Sequence, residues 1–455
     1  MSKASSKVFI FGVDGLPPDL LFKKYIKQLP NFKKLIATGM HGNLRSTIPP
    51  YSTSAWTTFN GGYDPGTTGI HGFIARPDRN GLRVTDSKDV KVPRLWNILS
   101  SKNRKSIVLN VPLTYPASKI NGIMVTDFLT PSFDGKSVYP KNVKQTIQKI
   151  LKGKDYPFDI PILSEDTIDS DSVIKETYQM TDAHLKVAKY FFEKEQWDLF
   201  NFVIIGTDRL HHMFWKHIDP RHKHHDPKSK YKNVILDYYK YLDKHLGWFT
   251  NHPLVKNQYI IVASDHGMDK MDGQININDW LIREGFLKLN VSAEQLTSQS
   301  PQRFSLPMID KMKTCAYASG GYCGRIFVIR RKVKTIREIT KKLSGIHRED
   351  GRKIKVRVFK TKDLYKKFDP EAPELIVFFE NLFYGVNTDV GNKSIFKESI
   401  SEVDSAGHSM NGSYIISGPN IHKKRKNGEI TQIAPTILKL MEIKDYQKMP
   451  AKPML

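Results

Sequence analysis

Three aspartates, three histidines and a serine carry the chemistry this sequence could perform: Asp14, Ser52, Asp208, His212, Asp265, His266 and His408. Each stands where an apolar run gives way to Gly, Ser or the start of a helix. Carboxylate, imidazole and hydroxyl groups are ligands for divalent cations, and this set is large enough for two ions. A hydroxyl among metal ligands is a nucleophile, because a bound cation lowers the pKa of a coordinated oxygen acid. The chemistry to expect is hydrolysis of phosphoryl or related esters.

Local spacing supports each residue to a different degree. Asp208 and His212 lie four apart in Gly206-Thr207-Asp208-Arg209-Leu210-His211-His212, so on a helix they share a face and can reach one ion. His211 points elsewhere on that helix. Asp265 and His266 follow the apolar Ile260-Ile261-Val262-Ala263, and a kink at Gly267 can bring both to one place. Asp14 ends Ile10-Phe11-Gly12-Val13 beside Gly15, and His408 follows Gly407. Alone, Asp14 or Asp208 could equally be a helix cap. Ser52 follows Pro49-Pro50-Tyr51, an extended entry into a segment that can turn helical. A helix N-terminus there would favour an anion. Thr53, Ser54 and Thr57 compete with Ser52 on these grounds. His217, His222, His224 and His225 read as solvated loop residues.

The elements that must position these groups are legible as apolar periods. Strand-like runs recur at Val8–Val13, Ser106–Val111, Leu199–Ile205, Tyr259–Ala263 and Ser413–Ile416. Helix-period segments at Val173–Glu193 and Tyr231–Leu246 lie between some of them. Such alternation predicts an α/β fold, with a mostly parallel central sheet flanked by helices on both faces. Ligands bind at the carboxyl ends of the strands in such sheets, and Asp14, Asp208 and Asp265-His266 all follow strands. Residues 285–400 read as an α+β lid within a single catalytic domain spanning 1–455. Strands are expected there at Arg325–Ile329 and Ile354–Phe359, with a helix at Ile336–Leu343. Ile433–Met441 reads as an amphipathic helix with Pro435 near its first turn.

Composition narrows the setting. The chain has 455 residues, enough for a large core, and 39% of them are hydrophobic. No apolar run is long enough to span a bilayer. The N-terminal Met1 to Lys7 lacks the apolar region of a signal peptide, and the two cysteines, Cys315 and Cys323, suit a reducing cytoplasm as free thiols. The net charge of +25 attracts anions. Its densest segments, Arg330–Lys334, Arg352–Arg357 and His422–Lys426, lack the interleaved aromatics of a single-strand-binding groove. They read as solvated faces, so no obligate nucleic-acid partner is expected.

The motifs together resemble the type I phosphodiesterase/nucleotide pyrophosphatase family of the alkaline phosphatase superfamily. The resemblance rests on Gly12-Val13-Asp14-Gly15, Ile48-Pro49-Pro50 with Ser54-Ala55-Trp56-Thr57, Asp64-Pro65-Gly66 with Gly69-Ile70, and Asn110 to Pro116. It continues through Thr207-Asp208-Arg209 with His212 and Trp215, Ser264 to Met268, Gly407-His408, and Ile433 to Leu438. The family implies an alkaline-phosphatase-like fold and two divalent ions, usually zinc, with manganese as an alternative. Carried over, Asp208, His212 and His408 would hold one ion, and Asp14, Asp265 and His266 the other together with the nucleophile. Counting back from Gly62-Tyr63-Asp64-Pro65 puts Ser52 in the nucleophile position, usually a Thr in the family. Ala55 stands where nucleotide pyrophosphatases carry an Asn that helps to bind a phosphate oxygen. The resemblance implies a phosphodiesterase/nucleotide pyrophosphatase acting on a small anionic phosphate ester through a covalent phosphoseryl intermediate; a diester is preferred because the sequence shows no further acidic cluster for the third ion that monoesterases of the superfamily often use. The alternatives are a phosphomonoesterase or phosphomutase of the same superfamily, or a basic nucleic-acid- or membrane-surface binder with a vestigial site. Turnover of aryl mono- and diesters separates these enzymatic alternatives from a diesterase, and salt-dependent retention without turnover marks the binder.

Overall fold

All five apolar runs become neighbours in one sheet. In the computed structural model, which describes residues 6–76, 83–161, 169–291, 301–348, 350–367, 369–398 and 404–455, the central sheet has ten strands. Its order is Lys424–Arg425, Met40–Arg45, Asn411–Ser417, Tyr259–Ala263, Val8–Val13, Leu199–Ile204, Ser106–Leu109, Gly122–Val125 and Val138–Tyr139, with Gly428–Glu429 also on Met40–Arg45. Val8–Val13 pairs in parallel with both Leu199–Ile204 and Tyr259–Ala263. Ser106–Leu109 continues the parallel set. Asn411–Ser417 enters antiparallel against Tyr259–Ala263 and Met40–Arg45.

Successive side chains of a strand face opposite ways, so a strand buried on both sides must be apolar throughout. Val8–Val13 obeys this. Phe9, Phe11 and Val13 join a core that includes Phe192, Phe200, Tyr238 and Phe249 from one side. Val8 and Ile10 join a second core with Trp56, Phe59, Trp96 and Ile437 on the other. The helices Ser170–Lys194 and Val234–Thr250 cover the first face; Ser52–Gly61 and Ile433–Leu440 lie on the second. Each large apolar side chain so buried contributes about 1.5–3 kcal/mol. The C-terminal helix keeps its one polar edge but is buried nearly all round: of its eight residues only Lys439 is exposed, because it packs between Ser52–Gly61 and the chain end.

A second sheet of seven strands stands against this layer. Its order is Ala316–Ser319, Gly324–Val328, Leu375–Phe379, Tyr384–Asn387, Gly273–Asn276 and Phe396–Lys397, with Val356–Lys360 also on Leu375–Phe379. Its own core runs from Ile275 to Phe396 and takes in the helix Lys332–Leu343. The sheet therefore recruits Gly273–Asn276, ahead of residue 285. A small cluster of Ile48, Tyr51, Cys323, Tyr365, Ile376 and Phe378 joins the second sheet to the loop before Ser52. Tyr51 Oη donates to Gly320 O at 3.0 Å and Tyr365 Oη to Ile48 O at 2.8 Å. Cys315 and Cys323 are free thiols. The three basic segments are largely exposed, Ile354 and Val356 excepted. Among the described residues, no helix is long and apolar enough to cross a membrane.

Candidate active site

The carboxyl ends of three adjacent parallel strands supply most of the site. Asp14 extends the first strand, its N–H donating to Ile204 O at 3.0 Å. After Ile204 the chain turns into the helix Gly206–Phe214, which carries Asp208 in its first turn and His212 one turn on. After Ala263, Ser264 anchors the corner: its Oγ donates to His266 O at 2.6 Å and accepts from Leu16 N–H at 2.8 Å. Gly267 then starts a two-stranded ribbon, Gly267–Lys270 with Ala406–Ser409, whose register sets His408 opposite Met268. A Cβ on Gly267 would lie 2.1 Å from Asn411 O, so only glycine permits this approach. The ribbon brings His408 onto His266, ring centroids 3.5 Å apart.

Ser52 opens the helix Ser52–Gly61, after Tyr51 in an extended conformation. Its hydroxyl does not cap the helix; Oγ lies 3.2 Å from His266 Nε2. Of the four hydroxyls only that of Ser52 makes a hydrogen bond to a residue of the cluster; those of Thr53, Ser54 and Thr57 are buried with no partner among the described residues. Trp56, one turn further along the same helix face, donates from Nε1 to Asp14 Oδ2 at 2.8 Å. The helix thus presents the hydroxyl and orients a carboxylate at once. Ala55 is fully buried in the core with Trp56 and Phe59.

All seven residues converge. His266 Nε2 lies 3.4 Å from Asp14 Oδ1 and 3.2 Å from Asp265 Oδ2. Asp208 Oδ1 lies 3.4 Å from both His212 Nε2 and His408 Nε2. Two groups of donors each lie within 4.8 Å: Asp14, Asp265 and His266, and Asp208, His266 and His408. His266 therefore stands between the groups, where the division expected from sequence gave it to Asp14 and Asp265 alone. His212 approaches from the far side of Asp208. Its Nδ1 is 2.8 Å from Asp404 Oδ1 and 2.9 Å from Ala406 O, and its Nε2 shares a hydrogen bond with Tyr322 Oη at 2.9 Å.

Asp14 Oδ1, Asp208 Oδ1, Asp265 Oδ2 and His408 Nε2 are buried with no hydrogen-bond partner among the described residues. Three carboxylate oxygens and an imidazole nitrogen left unpaired in one place are costly, unless a cation takes them. The donor set fits divalent ions with nitrogen and oxygen preference. Electrostatics agrees. Burial, reinforced by the charge of Asp208, raises Asp14 well above the usual carboxylate range; burial with Asp14 and Asp208 raises Asp265. Burial also works on Asp208, but His212 and His408 hold it well below that range. Burial pushes His266 and His408 down, whereas Asp208 and Asp404 overcome it at His212 and raise that ring to about 10.

Sequence reasoning missed the supporting groups. Arg209 binds Asp208 Oδ2 at 2.9 Å and clamps Asp159 through Nε and Nη2 at 2.9 and 2.6 Å. Pro50 O accepts from His408 Nδ1 at 2.7 Å, fixing the ring so that Nε2 faces the site. Trp56 and Arg209 lie inside motifs and could have been given roles on that signal. Tyr322 and Asp404 had none beyond a Gly-Gly turn before the tyrosine. Among the histidines read as solvated, His222 is buried at 3% exposure, its Nδ1 accepting from His224 N–H at 3.1 Å. His211 is buried against Tyr239 and Trp215, away from the site.

The family model for type I phosphodiesterase / nucleotide pyrophosphatase matches residues 8–409. Among solved structures, human ectonucleotide pyrophosphatase/phosphodiesterase 5 aligns with a TM-score of 0.55 and 15% identity, over 96% of this chain and 95% of that one. The murine protein aligns with a TM-score of 0.56 and 16% identity over the same shares, as does its inactive variant solved in complex with AMP. At this identity the likeness is one of fold. No curated protein matches the chain.

Proposed function

We propose, from the premise that the chain belongs to the type I phosphodiesterase/nucleotide pyrophosphatase family, that this phosphate-ester hydrolase is a two-cation phosphodiesterase with Ser52 as its nucleophile. One observation carries the reading: the unpaired atoms of Asp14, Asp208, Asp265 and His408 share one buried space with Ser52 Oγ beside His266. Asp208, His212 and His408 would hold one divalent ion, and Asp14, Asp265 and His266 the other; the donor set suits zinc, with manganese as the alternative. When bound, such ions lower the pKa of a coordinated hydroxyl or water and neutralise charge on phosphoryl oxygens.

Ser52 attacks phosphorus from the first turn of its helix, where backbone N–H groups such as that of Thr53 would stabilise the anion. Its Oγ bonds to phosphorus as the bond to the leaving oxygen breaks, in line, and water then hydrolyses the phosphoseryl ester. Trp56 and Gly15 orient the two carboxylates nearest Ser52 through hydrogen bonds to Asp14 and Asp265. Asp404 and Pro50 orient His212 and His408 in the same way. Ala55 offers phosphate no side-chain donor and is packed in the core, which favours a simple diester over a nucleotide. The two free thiols fit a reducing, cytoplasmic setting.

Metal-reconstituted protein assayed against aryl phosphodiesters, nucleotides and phosphomonoesters tests the reading. Diesters should turn over fastest. Binding of nucleic acid with no turnover of any ester would overturn it.

A further inference from the structure

A cavity of about 500 Å³ opens beside the site, between the second sheet and the loop before Ser52. Three of its wall residues touch the catalytic groups. Tyr322 and Asp404 both hydrogen-bond His212, and Tyr51 precedes Ser52 in the chain. The rings fix an order across the site. His408 lies between His266, at 3.5 Å, and Tyr322, at 3.6 Å, both nearly parallel to it. Ser52 Oγ sits at the His266 end. Tyr322, His212 and the cavity lie at the other.

In-line displacement sets the entering and leaving oxygens on opposite sides of phosphorus. With Ser52 entering at the His266 end, the leaving arm points towards Tyr322 and the cavity. The cavity is walled by the aromatic rings of Tyr51, Phe304 and Tyr317 as well as Tyr322, and the charged Arg303, Arg325, Asp389 and Asp404 also line it. Its volume is that of a site for a small organic molecule, and flat rings pack on aromatic faces. We propose that this cavity receives the leaving group and selects a flat alcohol, aryl or heteroaryl, over a small alkyl one. The inference rests on the reading of Ser52 as nucleophile. In the step itself, Oγ bonds to phosphorus and the phosphorus–arm oxygen bond breaks. The electron pair stays on that oxygen, which takes a proton from water and departs as the alcohol; the serine proton passes to solvent.

The test is calorimetric binding of 2-naphthylphosphonate and methylphosphonate to the metal-loaded protein. Burial of the bicyclic arm should make the naphthyl ligand bind about 30-fold more tightly. Leu306 and Thr388 also line the cavity, and Leu306→Trp or Thr388→Trp fills it. Either substitution should bring the ratio of the two affinities to within about threefold. A wild-type ratio near one, or a ratio that both substitutions leave unchanged in folded protein, overturns the cavity assignment while methylphosphonate binding and diester turnover stand. Failure of both ligands to bind, with no diester turnover, overturns the reading of the phosphoryl site beneath it.

Discussion

Replacing Asp265 by Asn should stabilise the metal-free protein and weaken its response to metal. The oxygens and nitrogen offered by Asp14, Asp265 and His266 lie within 4.8 Å of one another. Two carboxylate charges at that separation repel by about 3 kcal/mol at an effective dielectric constant near 20. Protonation relieves part of this, since burial and the neighbouring charges raise both Asp14 and Asp265. Asn keeps the bond in which Gly15 N–H donates to Oδ1 at 3.3 Å, and its amide faces Asp14 as a donor. The gain without metal is then about 1–3 kcal/mol, or about 1–3 °C in Tm for a chain of this length. In the wild type, a cation at about 100 times its Kd adds about 2.7 kcal/mol. The substituted site should lose most of that. Melting curves in chelator and in excess Zn²⁺ or Mn²⁺, with metal content by mass spectrometry, read both effects. A variant that melts lower than wild type in chelator, yet rises as far with metal, refutes the buried cation site.

Ser52→Ala should abolish diester turnover and leave bound metal largely intact, whereas Thr53→Ala retains turnover; the reverse pattern, read by steady-state assay, would move the nucleophile by one residue. Asp404→Ala removes the carboxylate 2.8 Å from His212 Nδ1 and should weaken one cation by about 10- to 100-fold in a chelator-competition titration; unchanged affinity would remove Asp404 from the site. Burial pushes His184 down to about 4, with its Nε2 on Pro157 O. Its folded pKa is thus below the unfolded value near 6.5, so its contribution is complete above pH 6.5 and is lost as pH falls towards 4, by about 3 kcal/mol. His184→Gln should flatten the urea midpoint against pH across that window, and an unchanged slope would refute the assignment.

The residues legible in the sequence are those whose position follows from a local period. Asp14, Asp208 and Asp265 each end an apolar strand run, and the strand rule places them at one edge of the sheet without knowledge of the strand order. Ser52 was less distinct, because four hydroxyls share its segment and only the packed helix shows which one faces His266. The sharing of His266 between two donor groups was not legible. It depends on the register of the Gly267–Lys270 and Ala406–Ser409 ribbon, a pairing of segments more than a hundred residues apart. Tyr322 was hidden for the same reason. Its place is set by a hairpin of the second sheet, and no local pattern distinguishes it from a surface turn.

The second sheet is part of the site through packing. Tyr51 shows how. Its ring joins the cluster of Cys323, Tyr365 and Ile376, and its hydroxyl donates to Gly320 O, so the residue before Ser52 is held by the hairpin that carries Tyr322. Gly321, at φ +119°, could not carry a Cβ there, since that atom would lie 2.8 Å from Tyr51 Oη. A larger residue at 321 would push the hairpin off Tyr51 and shift two things together: the entry to the Ser52 helix and the phenol against His212. The same contact therefore couples the position of Ser52 to the cavity wall that carries Tyr322. Loss of turnover through Gly321→Val, with metal still bound, would come from that coupling.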